Sequence, residues 1–196
     1  MQKQIIIIVL FLILILGGLF AIKSFIPKKQ VEDFNYHHME LKSDVFKNGE
    51  YIPAKYTCDG IDVNPSLQFS NVPKDAKSLV LIVDDPDALS EDFVHWVVWN
   101  INPQAGYIEE GSLWDKIVEG RNDFGKNVYG GPCPPALQTE VLQEGPSSGA
   151  HQYIFKLYAI DFVFDKMSLN TDKTKILKLI EKHILAKVEL VGLYER

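Results

Sequence analysis

The run Ser78-Leu79-Val80-Leu81-Ile82-Val83 limits the possible folds more than any other segment of this chain. It is short, almost wholly apolar, and closed by Asp84-Asp85-Pro86-Asp87. Such a run, bounded by turn residues, reads as a strand buried on both faces. Phe93 to Ile101 and Tyr153 to Ile160 have the same character, rich in β-branched and aromatic residues. Turn clusters separate these segments: Cys58-Asp59-Gly60, Asn71 to Asp75, Asn102-Pro103, and Gly130-Gly131-Pro132-Cys133-Pro134-Pro135. One helix is expected late in the chain. Thr171 or Asn170 can cap it, Asp172 suits its first turn, and Ile176, Ile180 and Ile184 recur on one face beside Leu177 and Leu185. A final strand follows, from about Val188 to Tyr194. Many strands and one helix predict a mainly β chain, a β-sandwich with a C-terminal helix.

The N-terminus has a separate character. Ile5 to Ile22 carries no charge and no polar side chain, and its length of about 18 residues is at the lower edge of a bilayer span. The segment lacks a polar face, which argues against a core helix. It also lacks a small-residue cleavage pattern, so an uncleaved transmembrane helix or signal anchor is favoured over a cleaved, secreted form. Lys3 precedes the run and Lys23, Lys28 and Lys29 follow it, a balance that does not favour export. The very short N-terminal tail nevertheless resembles that of a signal anchor. An extracytoplasmic domain is therefore expected, with a cytoplasmic one as the alternative. The predicted organisation is a tail at 1–4, the anchor at 5–22, a linker at 23–38 and one folded domain at 39–196.

Composition narrows the partners. The net charge is −6 and the basic residues are dispersed, which argues against nucleic acid. There are two cysteines, Cys58 and Cys133. In an exported domain they form a candidate disulfide; in a cytosolic one, two thiols.

Polar chemistry sits at strand ends. If the strand from Phe93 is regular, His95, Val97, Trp99 and Ile101 share one face. His151, Tyr153, Phe155 and Leu157 likewise share a face. In both, a polar group comes first and apolar residues follow, the layout of a pocket with a polar mouth and an apolar floor. Asp85 and Asp87 emerge just after a buried strand, and Pro86 restricts the backbone between them. Imidazole, phenol and backbone N–H groups of a Gly-rich turn can hold a phosphate or carboxylate, with a carboxylate orienting a histidine. Fixed positive charge is scarce unless Arg121 approaches, so binding is expected to be modest and pH-dependent. Taken singly, His95 reads as a core residue, Asp85 as a turn cap and the prolines as loop-shaping. Only their co-occurrence points to a site.

Several motifs together resemble the phosphatidylethanolamine-binding protein family, in its prokaryotic Raf-kinase-inhibitor-like branch. They are Thr57-Cys58-Asp59-Gly60 with Asn64-Pro65, Asp85-Pro86-Asp87-Ala88, and His95-Trp96-Val97-Val98-Trp99-Asn100. Gly120-Arg121-Asn122-Asp123-Phe124-Gly125, Tyr129 to Pro135, His151-Gln152-Tyr153 and Phe155 to Ala159 complete the series. The resemblance implies a sandwich of antiparallel sheets and an anion pocket built from Asp85, Asp87, His95, the Gly131-Pro132 turn, His151 and Tyr153. It implies phosphate-bearing ligands, including phospholipid headgroups, and in some members inhibition of kinases or proteases by protein contacts. It implies neither a cofactor nor a known reaction. The sequence departs from the family pattern at Leu89, where a proline is usual, and at Gln152, where an arginine is frequent. It also has a longer segment from Ala136 to Ala150, expected beside the pocket mouth and containing Glu140 and Glu144.

Two rival readings remain at this level. Asp85, Asp87, His95 and His151 supply donor types for a metal-dependent hydrolase. Alternatively, the chain is an inhibitor scaffold whose pocket is vestigial. Serine catalysis finds no support, because no G-x-S-x-G elbow is present.

Overall fold

Alternation along one central strand organises the whole domain. In a computed structural model that describes residues 38–89, 92–111, 117–136 and 149–196, β4 (Ser78–Asp85) is buried along its entire length. Leu79, Leu81 and Val83 point into one hydrophobic cluster, and Val80 and Ile82 into another. A strand covered on both sides needs a layer on each. One layer is a second sheet and the other contains a helix. The predicted tail, anchor and most of the linker lie outside the described residues, as does 137–148 of the expected long loop.

Six strands form the larger sheet, in the order β2 (Glu50–Tyr51), β9 (Ile184–Tyr194), β8 (His151–Ile160), β4, β5 (Phe93–Ile101), β7 (Val118–Glu119). The smaller sheet has three, β1 (Glu40–Ser43), β3 (Leu67–Ser70) and β6 (Tyr107–Ile108). Pairing is antiparallel except between β2 and β9, which run parallel at one edge. The sandwich core lies between the sheets. Leu41, Leu67, Phe69 and Ile108 from one meet Leu81, Trp96, Phe155, Leu157 and Leu190 from the other.

The helix α1 (Lys173–Ile180) covers the opposite face of the larger sheet. Its cap differs from expectation. Asp172, not Thr171 or Asn170, is the N-cap, and its side chain accepts from the Lys175 N–H at 2.9 Å. Ile176 and Ile180 are fully buried, each contributing about 1.5–3 kcal/mol by leaving water. The predicted stripe does not continue, however. Ile184 and Leu185 belong to β9 and are 40% and 41% exposed. The ladder to β8 runs from His151↔Tyr194 to Ile160↔Ile184, so strand pairing claims residues that helical periodicity alone would assign to α1. Among the described residues, no helix is long and apolar enough to cross a membrane.

β5 is irregular, which corrects the expected face. Its register with β4 passes from Val83↔Trp96 to Asp84↔Val94, leaving His95 unpaired as a bulge. A second irregularity falls between Leu79↔Ile101 and Leu81↔Val98, where Asn100 has φ of 60°. Val97 and Trp99 therefore face the helix layer, while Trp96, Val98 and Ile101 face the sandwich core. A bulge re-aims one side chain without breaking the sheet. Here it separates His95 from the Val97 and Trp99 face.

Candidate pocket at the strand ends

Asp84 and Asp85 are adjacent and both buried, yet strand alternation sends them to opposite layers. Asp84 follows Val80 and Ile82 toward the helix side, where Lys156 Nζ lies 2.7 Å and Lys173 Nζ 2.5 Å from its carboxylate. No motif in the sequence marks this ion-paired cluster. Its one local signal is the Asp-Asp doublet at the end of an apolar strand. Asp85 follows Leu79, Leu81 and Val83 and lines a cavity of about 180 Å³.

Three further elements close that cavity. β8 brings His151 and Tyr153, two residues apart and therefore on one face, as expected. The bulge of β5 brings His95. Cys133, Pro134 and Pro135 supply part of the wall, and Leu89, Phe93 and Phe124 supply apolar surface. Phe124 stands within the motif Gly120 to Gly125, but its place beside His95 follows only from tertiary contact. Their rings meet edge to face at 5.4 Å, and His95 meets Tyr153 in the same manner at 5.1 Å.

Hydrogen bonds hold each polar group in place. Asp85 Oδ2 accepts from His151 Nδ1 at 2.8 Å, and Asp85 Oδ1 accepts from the Asp87 N–H at 2.8 Å. Asp87 in turn accepts from the Gln152 N–H at 2.9 Å, tying the turn after β4 to the start of β8. His95 Nδ1 donates to the Gly130 carbonyl at 2.7 Å, while the Gly130 N–H donates back to the His95 carbonyl at 3.1 Å. Asn122 also donates to the His95 carbonyl, at 3.3 Å.

The Gly-Gly-Pro-Cys segment is fastened to the turn at residues 56–62. Gly131 N–H donates to Asp62 Oδ1 at 2.6 Å, Cys58 N–H donates to the Pro132 carbonyl at 3.1 Å, and Tyr129 OH donates to the Tyr56 carbonyl at 2.9 Å. A disulfide joins Cys58 to Cys133 across 75 positions of sequence. Gly131 has no room for a side chain: a Cβ there would lie 2.3 Å from the Tyr56 carbonyl oxygen.

Of the residues expected in the site, Asp85, His95, His151 and Tyr153 line the cavity. Asp87, Gly131 and Pro132 do not line it; their hydrogen bonds to Gln152, Asp62 and Cys58 tie down the segments that do. Arg121 does not line it, nor does any other arginine or lysine among the described residues. The rival ligand set Asp85, Asp87, His95 and His151 does not converge, since no group of three or more such side chains among the described residues can hold a metal ion.

Burial sets the electrostatics. Loss of water lowers the His95 pKa below its ordinary value, against the opposing pull of the Gly130 carbonyl and the Asp85 carboxylate. Burial, reinforced by the Asp85 charge, pushes the Tyr153 phenol well above its usual range, so it is a permanent donor. Two buried polar atoms in this cavity have no hydrogen-bond partner among the described residues: His151 Nε2 and Tyr153 OH. Asp85 and the Cys133 N–H are close enough to influence Tyr153, but neither meets its hydroxyl in hydrogen-bond geometry.

The sequence profile of the phosphatidylethanolamine-binding protein family matches residues 42–195. The chain belongs to that family. A UPF0098 protein of Pyrococcus horikoshii is 45% identical over 166 residues, covering 81% of this chain and 78% of the relative. A UPF0098 protein of Methanothermobacter thermautotrophicus is 43% identical over 163 residues, covering 81% of this chain and 99% of the relative. Among solved structures, a putative phosphatidylethanolamine-binding protein homologue from Chlamydia trachomatis superposes with a TM-score of 0.72 at 37% identity. It covers 82% of this chain and 99% of its own. YbcL of E. coli, described as a new member of the mammalian family, gives a TM-score of 0.71 at 28% identity, covering 81% and 99%. The family's sandwich is thus the fold of this chain.

Proposed function

We propose that this protein is a membrane-tethered binding module whose cavity takes small phosphate-bearing molecules or phospholipid headgroups. The observation that carries this reading is a pair of buried atoms in one cavity, His151 Nε2 and Tyr153 OH, that have no partner among the described residues. A buried polar group without a partner is costly, and a ligand that satisfies both removes the cost. The small volume suits a headgroup better than a whole lipid. Tethering rests on the apolar run Ile5 to Ile22. The disulfide supports an oxidising, extracytoplasmic location.

Calorimetric titration of the full chain with inorganic phosphate and O-phosphoethanolamine tests the pocket. Saturable binding that is lost in Tyr153→Phe is the expected result. An absence of binding at millimolar ligand by the folded protein overturns the reading. A second reading, an inhibitor of kinases or proteases acting through protein contacts, gains from the exposed apolar side chains of Leu89 and Phe124 on the cavity wall. It predicts partner inhibition that survives Tyr153→Phe and fails in Leu89→Asp.

A further inference from the structure

On the reading that the cavity takes phosphate-bearing ligands, its polar side chains decide which form of an oxyacid it accepts. They differ in what they can offer. His95 Nδ1 lies 2.7 Å from a carbonyl oxygen, which only accepts, so the ring proton resides on Nδ1. His151 Nδ1 lies 2.8 Å from Asp85 Oδ2, which fixes its proton in the same position. In its neutral form each ring therefore has a lone pair, not a proton, at Nε2. Asp85 accepts at both oxygens and has no proton to give. Tyr153 OH is the one side-chain donor lining the cavity among the described residues.

A fully deprotonated oxyanion consists of acceptors alone. It satisfies Tyr153, but sets its remaining oxygens against the Nε2 lone pair of His151 and the charge of Asp85. Lysine and arginine, which would compensate, do not line the cavity among the described residues. An oxyacid that keeps one proton is complementary: its O–H donates to His151 Nε2 and another oxygen accepts from Tyr153. We propose that the cavity selects phosphate monoesters in their protonated, singly charged form and discriminates against sulfate esters of the same shape. The charged and titratable groups around the pair are Asp85 and Asp87 after β4, His95 on β5, Tyr153 on β8, Tyr194 opposite His151 on β9, Asp62 behind Gly131, and, on the outer side of Cys133, Arg196, whose guanidinium is 3.8 Å from the Cys133 sulfur and is paired at 3.0 Å with Asp59.

The test compares O-phosphoethanolamine with ethanolamine O-sulfate, by calorimetry on the full chain at pH 6 and pH 8. The two share their amine and chain, so recognition of that part cancels. The sulfate ester has one charge and no proton at either pH. At pH 6 the phosphate ester is expected to bind at least about tenfold more tightly, the effect of one unsatisfied buried group. Between pH 6 and pH 8 it is expected to weaken by about fiftyfold, because a second pKa near 6 leaves about 1% of it protonated at the higher pH. Equal affinities with the same pH profile would mean that imidazolium carries the anion, which overturns the selectivity and leaves the pocket reading intact. Tighter phosphate binding at pH 8 overturns it as well. Binding of neither ester overturns both readings.

Discussion

Replacing Asp85 with asparagine removes one atom's worth of chemistry and is predicted to reverse the hydrogen-bonding sense of His151. Asp85 serves two donors, the Asp87 N–H through Oδ1 and His151 Nδ1–H through Oδ2, each at 2.8 Å. Asparagine has one accepting oxygen and one donating NH₂. A backbone N–H cannot tautomerise, whereas an imidazole can. The amide oxygen is therefore expected to stay with Asp87 and the NH₂ to face His151 Nδ1, which must then give up its proton to Nε2. Two charge-assisted bonds become neutral ones, a loss of about 1 kcal/mol each. The total of about 2 kcal/mol is an upper value, since the amide is less costly to bury than a carboxylate. Urea unfolding reads the stability, and long-range nitrogen–proton NMR of the imidazole reads the tautomer. With a proton on Nε2, the sulfate ester should gain on the phosphate ester. A His151 that keeps its proton on Nδ1 in Asp85→Asn refutes the reasoning, whatever the change in stability.

Three other outcomes are expected. Replacing Cys58 and Cys133 together by alanine should cost about 4.5 kcal/mol, the chain-entropy value for a loop of this length, as read from denaturant midpoints against the oxidised parent. Gly131→Ala should displace the 129–133 segment, because a Cβ would lie 2.3 Å from a backbone oxygen that cannot rotate away; loss of ligand binding and altered amide shifts around Cys58 would report it. His95 should titrate below its ordinary value of 6.5 because of burial. With the folded value depressed, the unfolded chain binds the proton first. Stability is then full above about pH 6.5 and falls as pH drops from there through the folded-state value. Imidazole NMR titration, with unfolding midpoints at several pH values, checks both the position and the sign.

The strands were readable because their cause is local. Ser78 to Val83 cannot be solvated, and its apolar continuity announces burial on both faces. The cavity was partly readable for a similar reason: His151 and Tyr153 sit two apart on a strand, and strict alternation puts them on one face. The same rule assigns His95 to the face of Val97 and Trp99, and a bulge at that residue breaks the alternation on which the rule depends. Ile184 and Leu185 fit the helical stripe as well as Ile176 and Ile180 do. Pairing with β8 decided their state, and no local pattern contains that partner.

Side-chain type and order thus determined the strand-rich class, the family and a short list of polar groups. Tertiary structure decided their roles. It sent Asp84 to two lysines and Asp85 to a histidine, set Asp87, Gly131 and Pro132 to tie down the segments that line the cavity, brought Phe124 against His95 and joined Cys58 to Cys133. The physical reason is range. Periodicity and turn chemistry act over a few residues, whereas a hydrogen-bonded cavity is assembled from segments whose nearness depends on sheet register.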